Sequence, residues 1–238
     1  MTYGRLGGTD CCDRTGVLCH SPSTAPTTGK TLTFCAGVSR EWANVAARSL
    51  FMGDAPLHVA FVGGSSGEWL VNSIQAMRGE GLPDATALRV LEGQASANGD
   101  DAAWILRGVV SNARYVTSSE QQALRSTQAG LGRRSATSGV LIPIRKSPAW
   151  WELPQDERRA IFEERSHHVA VGMTGLPAVA RRLHHSRDLG EPFDFLTWFE
   201  FAPEDTLLFD SVLEQLRTSE EWRFVDREVE IRVSSADG

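Results

Sequence analysis

The sequence predicts an α+β fold made of two copies of a strand–helix–strand unit. In the first copy, a strand rich in β-branched and aromatic residues at 103–116 precedes a helical stretch and an apolar strand at 140–144. In the second copy, an aromatic alternating strand at 193–201 precedes a helix and an alternating strand at 225–233. The repetition indicates a duplicated domain whose sheets pack or curl around a shared pocket.

The folded domain is predicted to begin near residue 57. Residues 1–56 mix Gly, Ser, Thr and Pro, a composition that buries too little apolar surface to fold alone, although 41–52 has apolar residues at helical spacing. The first strand is predicted at 58–62, and a turn rich in Gly and Ser follows at 63–67. We therefore expect a poorly structured N-terminal extension ahead of the domain.

Three helices are predicted from residues that are typical of helix N-termini. Ser118 is expected to cap the first helix, with Gln121 three positions later. Pro154 precedes a helix predicted over 155–168, whose acidic first turn suits the positive end of the helix dipole. The third helix opens at 202–205 and continues with apolar residues at helical spacing.

Two strands carry more specific expectations. Pro143 lacks a backbone N–H, which is expected to confine the strand at 140–144 to a sheet edge or a bulge. The strand at 225–233 alternates between apolar and charged residues, apart from Arg227 at an apolar position. We expect one of its faces to be buried and the other to contact water.

Composition limits the possible partners and the compartment. The formal net charge of −6 provides no basic surface for nucleic acid. No run of about 18 apolar residues and no secretory signal occurs, so a cytoplasmic protein without membrane contact is expected. The four cysteines have neither CxxC nor CxxCH spacing, which predicts reduced thiols in the extension and no covalent haem. They are Cys11, Cys12, Cys19 and Cys35.

Two histidine pairs, His167-His168 and His184-His185, could supply a metal ligand. Neighbouring side chains diverge by about 100° on a helix and face opposite sides of a strand, so only one member of a pair can face a given site. No HExxH sequence indicates a zinc hydrolase. The residues alone do not select one of these histidines, and the pair at 181–182 is most simply a solvated basic pair.

Several motifs resemble those of one enzyme family. They are Ile-Arg-Lys-Ser-Pro-Ala-Trp-Trp at 144–151, Asp-Glu-Arg-Arg-Ala-Ile-Phe-Glu at 156–163, Ser-His-His at 166–168 and a long stretch at 176–195. Together they resemble the chlorite dismutases and coproheme decarboxylases. The resemblance implies ferredoxin-like units at 57–145 and 146–238 that form a curled antiparallel sheet or barrel, with flanking helices and a haem b pocket in the C-terminal unit. Its short-chain members imply a homodimer.

In that family, the histidine that binds the haem iron precedes a residue on the opposite, distal face by thirteen positions. Thirteen positions after His168 is Arg181, whereas thirteen positions after His167 is Ala180. The resemblance therefore implies His168 as the iron ligand and Arg181, not Arg182, as the catalytic distal residue.

The resemblance also implies a set of residues around the haem. Glu221 corresponds to the proximal carboxylate that fixes the ligand histidine, although its neighbour Glu220 stays an alternative. Thr197 and Phe199, two apart on a strand, share one face. The tryptophans at 150 and 151 either pack near the haem or belong to the core. The whole set is Lys146, Trp150, Trp151, Thr197, Phe199 and Glu221.

Two positions favour chlorite chemistry within the family. One type of coproheme decarboxylase uses a tyrosine where this chain has Ile142 and a distal glutamine where it has Arg181. The implied reaction converts chlorite to chloride and dioxygen at the haem, and Arg181 retains the chlorine oxyanion that forms on the way. The alternatives are a haem-dependent peroxidase or coproheme decarboxylase, and a haem-binding protein without turnover.

Overall fold

Eight antiparallel strands close into a barrel in the part of the chain that the computed structural model describes, residues 57–93, 101–111 and 115–236. The strands are β1 (His58–Gly64), β2 (Trp69–Arg78), β3 (Ala87–Glu92), β4 (Ala102–Val110), β5 (Ser138–Lys146), β6 (Ala180–His185), β7 (Phe195–Phe201) and β8 (Val225–Ser235). Around the barrel their order is β1-β3-β2-β8-β5-β7-β6-β4, and β4 pairs with β1. The predicted α+β fold with a curled antiparallel sheet is confirmed. The predictions for residues 1–56, including the four cysteines, lie outside the described residues.

The interior of the barrel is an apolar core, because each strand turns alternate side chains inward. Phe61, Leu88, Leu106, Leu141 and Ile231 are almost completely buried there. Burial of one such side chain contributes about 1.5–3 kcal/mol. The interior of this eight-stranded barrel is therefore filled by side chains and stabilises the closed sheet.

The helices lie outside the barrel. Within the described residues they are α1 (Ser118–Thr127), α2 (Pro148–Glu152), α3 (Gln155–Arg159), α4 (His168–Thr174) and α5 (Thr206–Arg217). Phe209 and Leu213 of α5 form a second apolar core with Val140 and Ile142, which β5 turns outward. None of the helices in this described part is long and apolar enough to cross a membrane.

The helix predicted over 155–168 is interrupted. After α3 the chain continues as a π-helical segment, Ala160–Arg165, and His167 then adopts a left-handed backbone with φ of 51°. A left-handed residue cannot continue a right-handed helix, so α4 starts afresh at His168. The interruption moves His168 from the end of one helix to the beginning of another.

The cap of α1 is Thr117, and the prediction of Ser118 is wrong. Thr117 Oγ1 accepts the N–H of Glu120 at 3.3 Å, and the Glu120 carboxylate accepts the N–H of Thr117 at 2.7 Å. A carboxylate suits the third helical position better than the amide of Gln121, because negative charge is favoured at a helix start. The strand predicted over 103–116 is also too long, since β4 ends at Val110.

β5 is an interior strand, so the prediction that Pro143 confines it to an edge or bulge is wrong. It pairs with β7 on one side and with β8 on the other. The β5–β8 ladder passes from the Leu141–Ile231 pair to the Ile144–Glu228 pair without a pair at Pro143, which accommodates the missing N–H. β5 also runs across the unit boundary placed between residues 145 and 146, and that division stays a prediction.

The charged face of β8 is buried at Glu228 and Glu230, so the prediction that it contacts water is wrong there, although it holds for Asp226. Glu228 and Glu230 are only 2% and 5% exposed. Arg217 of α5 donates to Glu228 at 2.8 Å and pairs with Glu230 at 2.7 Å, and Arg232 pairs with Asp210 of α5 at 2.7 Å. α5 covers this face and supplies the opposite charges without which buried carboxylates are costly.

His184, inside the barrel, is expected to make stability depend on pH. Its ring is fully buried, and Nδ1 donates to the carbonyl oxygen of Leu196 at 3.0 Å. Burial lowers the pKa of His184 from 6.5 to about 4. Between these two pH values the unfolded chain binds a proton and the folded protein does not. The free energy of unfolding should therefore fall by about 3 kcal/mol as the pH falls through this window.

The comparison with His184→Asn isolates this contribution. The asparagine amide can still donate to Leu196 but does not titrate. Denaturant unfolding of both proteins between pH 7 and pH 4 should show that the variant loses about 3 kcal/mol less over the range. Equal losses in the two proteins would exclude His184 as the source.

Candidate active site

An open pocket lies outside the barrel, between outward-facing side chains of β5, β6 and β7 and the helices α4 and α5. Its empty volume, including solvent space at its mouth, is about 1260 Å³. Seven of the eight residues predicted to form the site line it: Lys146, Trp150, His168, Arg181, Thr197, Phe199 and Glu221. The remainder of the lining is mostly apolar, as in cavities that enclose a flat organic group.

His168 enters the pocket from the first residue of α4. The Glu163 carboxylate reaches across the preceding turn and accepts the N–H groups of Val169 at 2.6 Å and Ala170 at 3.3 Å. These bonds satisfy amides that a helix start leaves unpaired. Phe162 stacks on the imidazole, with ring centroids 4.4 Å apart and ring planes 23° apart. The contacts restrict the orientation of the imidazole.

Glu221 is the carboxylate beside His168. The distance from His168 Nδ1 to Glu221 Oε2 is 2.6 Å, and Lys146 Nζ donates to Oε1 at 2.7 Å. An ionised carboxylate only accepts, so Nδ1 donates and Nε2 of the neutral ring is left as a potential metal ligand. Glu220 instead pairs with Arg165 at 3.6 Å.

The charge of Glu221 is stabilised within the site. Burial raises its pKa, but the positive charge of Lys146 and the hydrogen bonds from Lys146 and His168 have a larger, opposite effect and lower the pKa to about 2. Lys146 is buried between the indole rings of Trp150 and Trp222, with Nζ 4.8 Å and 5.5 Å from the ring centroids. Glu221 is therefore an anion at neutral pH and keeps accepting from His168.

Arg181 lines the same pocket from β6. Burial alone lowers the pKa of its guanidinium, and none of the carboxylates in the described residues forms an ion pair with it. An arginine nonetheless stays protonated at neutral pH. Gln128 holds the backbone at this position, because its Nε2 donates to the carbonyl oxygen of Arg181 at 2.7 Å. Arg182, on the opposite face of β6, pairs with Glu92. Within the described part of the chain, the pocket thus contains a cation without a counterion, which favours an anionic ligand.

A family model described as chlorite dismutase matches residues 85–236. The chain belongs to the chlorite dismutase family. It is 53% identical to a dimeric chlorite dismutase from Nitrobacter winogradskyi, whose crystal structure superposes with a TM-score of 0.70 over 75% of this chain and 99% of that chain.

Other relatives are more distant. A chlorite dismutase from Ideonella dechloratans is 30% identical over 100 residues, which are 40% of this chain and 33% of that protein's length. A chlorite dismutase from Candidatus Nitrospira defluvii, solved in complex with imidazole, is 21% identical with a TM-score of 0.55 and covers 80% of this chain and 96% of its own. At that identity the likeness shows a shared fold.

In this chlorite dismutase family member, Thr197 and Phe199 of β7 both face the pocket. Ile142, which pairs with Thr197 across the β5–β7 ladder, lines it as well. Phe199 packs edge-to-face on Phe209 of α5, with ring centroids 5.1 Å apart. This wall therefore combines one hydroxyl with aromatic and aliphatic surface.

The two tryptophans have different surroundings. Trp150 is 1% exposed, and its Nε1 has no hydrogen-bond partner among the described residues. Trp151 does not line the pocket. Its Nε1 donates to Asp194 at 3.2 Å, and its ring stacks on Phe195, which is a pocket residue. Trp150 therefore lines the pocket and Trp151 does not, and cofactor binding by either tryptophan stays a prediction.

Among the residues that sequence reasoning misses, two contact the His168–Glu221 pair directly. They are Phe162, stacked on His168, and Ser166, whose Oγ accepts the N–H of Glu221 at 2.9 Å. Both lie within the motifs that carry the family resemblance, which is the signal that points to them. Without the fold, an apolar helix residue and a single serine indicate no chemistry.

Proposed function

We propose that this chain binds haem b and decomposes chlorite to chloride and dioxygen. The observation that carries the proposal is that one mostly apolar pocket is lined by His168, which is hydrogen-bonded to Glu221, and by Arg181, which has no ion-pair partner among the described residues. Membership of a haem-dependent family and 53% identity to the Nitrobacter chlorite dismutase support it.

The residues of the pocket fit haem. A porphyrin is flat and largely apolar, carries an iron and bears carboxylates at one edge. The pocket offers mostly apolar walls and the Nε2 atom of His168. His168 would bind the iron, and the Glu221–Lys146 pair would fix its tautomer and increase its electron donation. Thr197 and Phe199 would contact the bound group from β7.

Arg181 would act on the substrate by electrostatics. When bound, haem supplies the iron chemistry that breaks the Cl–O bonds and forms dioxygen. The permanent positive charge of Arg181 attracts the chlorite anion into the pocket. Apolar walls exclude water and strengthen that attraction. The guanidinium would then hold the chlorine oxyanion in the pocket until its remaining oxygen joins the first as dioxygen and chloride is left.

The test is to mix haem-loaded ferric protein with chlorite and measure oxygen and chloride. One dioxygen per chloride is expected, because the atoms of ClO₂⁻ then balance without a further reactant. A haem-loaded protein that evolves no oxygen would refute the proposal and leave the alternatives. Decarboxylation of added coproheme with peroxide would identify a decarboxylase, against which Ile142 argues because it carries no phenol. No turnover in either assay would indicate a haem-binding protein.

We also propose a homodimer, on the basis of the dimeric Nitrobacter relative. Light scattering after gel filtration should give about twice the chain mass of 26.0 kDa. A mass of one chain at every concentration tested would contradict this.

A further inference from the structure

Ser166 joins the turn that carries His168 to the turn that carries Glu221. Its side chain is buried, and its Oγ accepts the N–H of Glu221 at 2.9 Å. The hydrogen bond between His168 and the Glu221 carboxylate joins the same two turns a second time, at 2.6 Å. One hydrogen bond alone would let the two turns rotate relative to each other. Two hydrogen bonds fix both their separation and their relative orientation.

The turn at Ser166 needs such support. The π-helical segment ends at Arg165, and His167 has a positive φ, which is costly for a residue other than glycine. Interruptions of this kind persist only where surrounding contacts hold them. The contacts here are the Glu163 carboxylate on one side of the turn and the Ser166–Glu221 bond on the other.

We infer that Ser166 is a positioning residue for the His168–Glu221 pair, an inference that rests on the proposed binding of haem iron by His168. Ser166 does not line the pocket and acts only through Glu221. Loss of its hydroxyl leaves the buried N–H of Glu221 without a partner and allows the Glu221 turn to move away from His168. The imidazole then donates less electron density to a bound iron, which favours the ferrous state.

The experiment compares three variants of the haem-loaded full chain. Ser166→Ala removes the acceptor and Ser166→Thr retains an Oγ atom. Ser186→Ala is the matched control, because Ser186 is fully buried and its hydroxyl has no partner among the described residues. The measurements are the ferric/ferrous potential, the iron–histidine stretching frequency of the ferrous protein and the rate of haem transfer to an acceptor protein.

We expect Ser166→Ala to raise the potential, lower the stretching frequency and lose haem about tenfold faster, as for other partners of a metal-binding histidine. Ser166→Thr should stay close to the wild type, and Ser186→Ala should change none of the three. Wild-type values in Ser166→Ala would overturn the inference. So would equal changes in the alanine and threonine variants, because these would report packing and not the hydrogen bond.

Hydrogen exchange separates this inference from the proposed function. Peptides that contain Glu221 should exchange faster in Ser166→Ala than in Ser186→Ala, whether or not haem is bound. A wild-type protein that binds no haem would refute the proposed function while this comparison still tests the Ser166–Glu221 bond. Unchanged exchange around Glu221 would overturn the role of Ser166 even if haem binds.

Discussion

His168→Ala is expected to remove haem retention under conditions in which the wild-type protein keeps its haem. Nδ1 of His168 is bonded to Glu221, so Nε2 is the atom left for iron. Loss of an outer partner of a ligand histidine typically costs 10–100-fold in affinity, and loss of the ligand itself should cost at least about 100-fold. Haem titration and the Soret absorbance that survives gel filtration measure the effect.

His167→Asn is the control for this experiment. His167 is exposed and has a left-handed backbone, which asparagine tolerates. This variant should retain haem, and added imidazole should restore ligation in His168→Ala. A normal Soret band in His168→Ala after gel filtration, or haem loss confined to His167→Asn, would contradict the assignment of the ligand.

The sequence places residues of the same type next to each other, and only the fold shows which one of each pair belongs to the site. Strand geometry alone requires the side chains of Arg181 and Arg182 to point to opposite faces of the sheet. Which of the two faces forms the pocket depends on the helices that pack against the sheet. For Glu220 and Glu221 no such rule applies, because Glu221 begins a 3₁₀ turn. The choice there comes from tertiary contacts with Ser166 and Lys146, far away in the chain. Family resemblance selected the residues that the geometry brings together.

The barrel itself follows largely from local patterns, and its departures from them have tertiary causes. The alternation of β8 correctly predicts a strand, but α5 buries its charged face with cations that no local pattern reveals. Three strands, β2, β3 and β6, have no predicted counterpart, and the six residues of β3 show no alternation of burial. The interruption at His167 is invisible in an otherwise helical sequence, since it depends on Glu163 and on contacts with the Glu221 turn.

Arg181→Ala is expected to slow oxygen evolution per haem about ten- to a hundredfold. A hydrogen bond to a charged group contributes about 1.5–3 kcal/mol, which corresponds to that range in rate. The guanidinium has no counterion among the described residues, so its removal leaves no carboxylate unpaired in the pocket. We therefore expect haem binding to be unchanged. Oxygen-electrode rates at saturating chlorite, normalised to the Soret absorbance, measure the loss.

If Arg181 retains the chlorine oxyanion, a second result is expected that would not occur if Arg181 only attracted the substrate. In Arg181→Ala, more oxidised chlorine should escape and react with a chlorination trap in solution, and oxygen per chlorite consumed should fall. Arg181→Lys keeps the charge without the planar fork and should give intermediate values. Arg182→Ala removes the same residue type from the other face of β6, where a partly exposed pair with Glu92 contributes little. Wild-type oxygen yield in Arg181→Ala, or equal loss in Arg182→Ala, would show that the chlorine oxyanion is retained by something other than this cation.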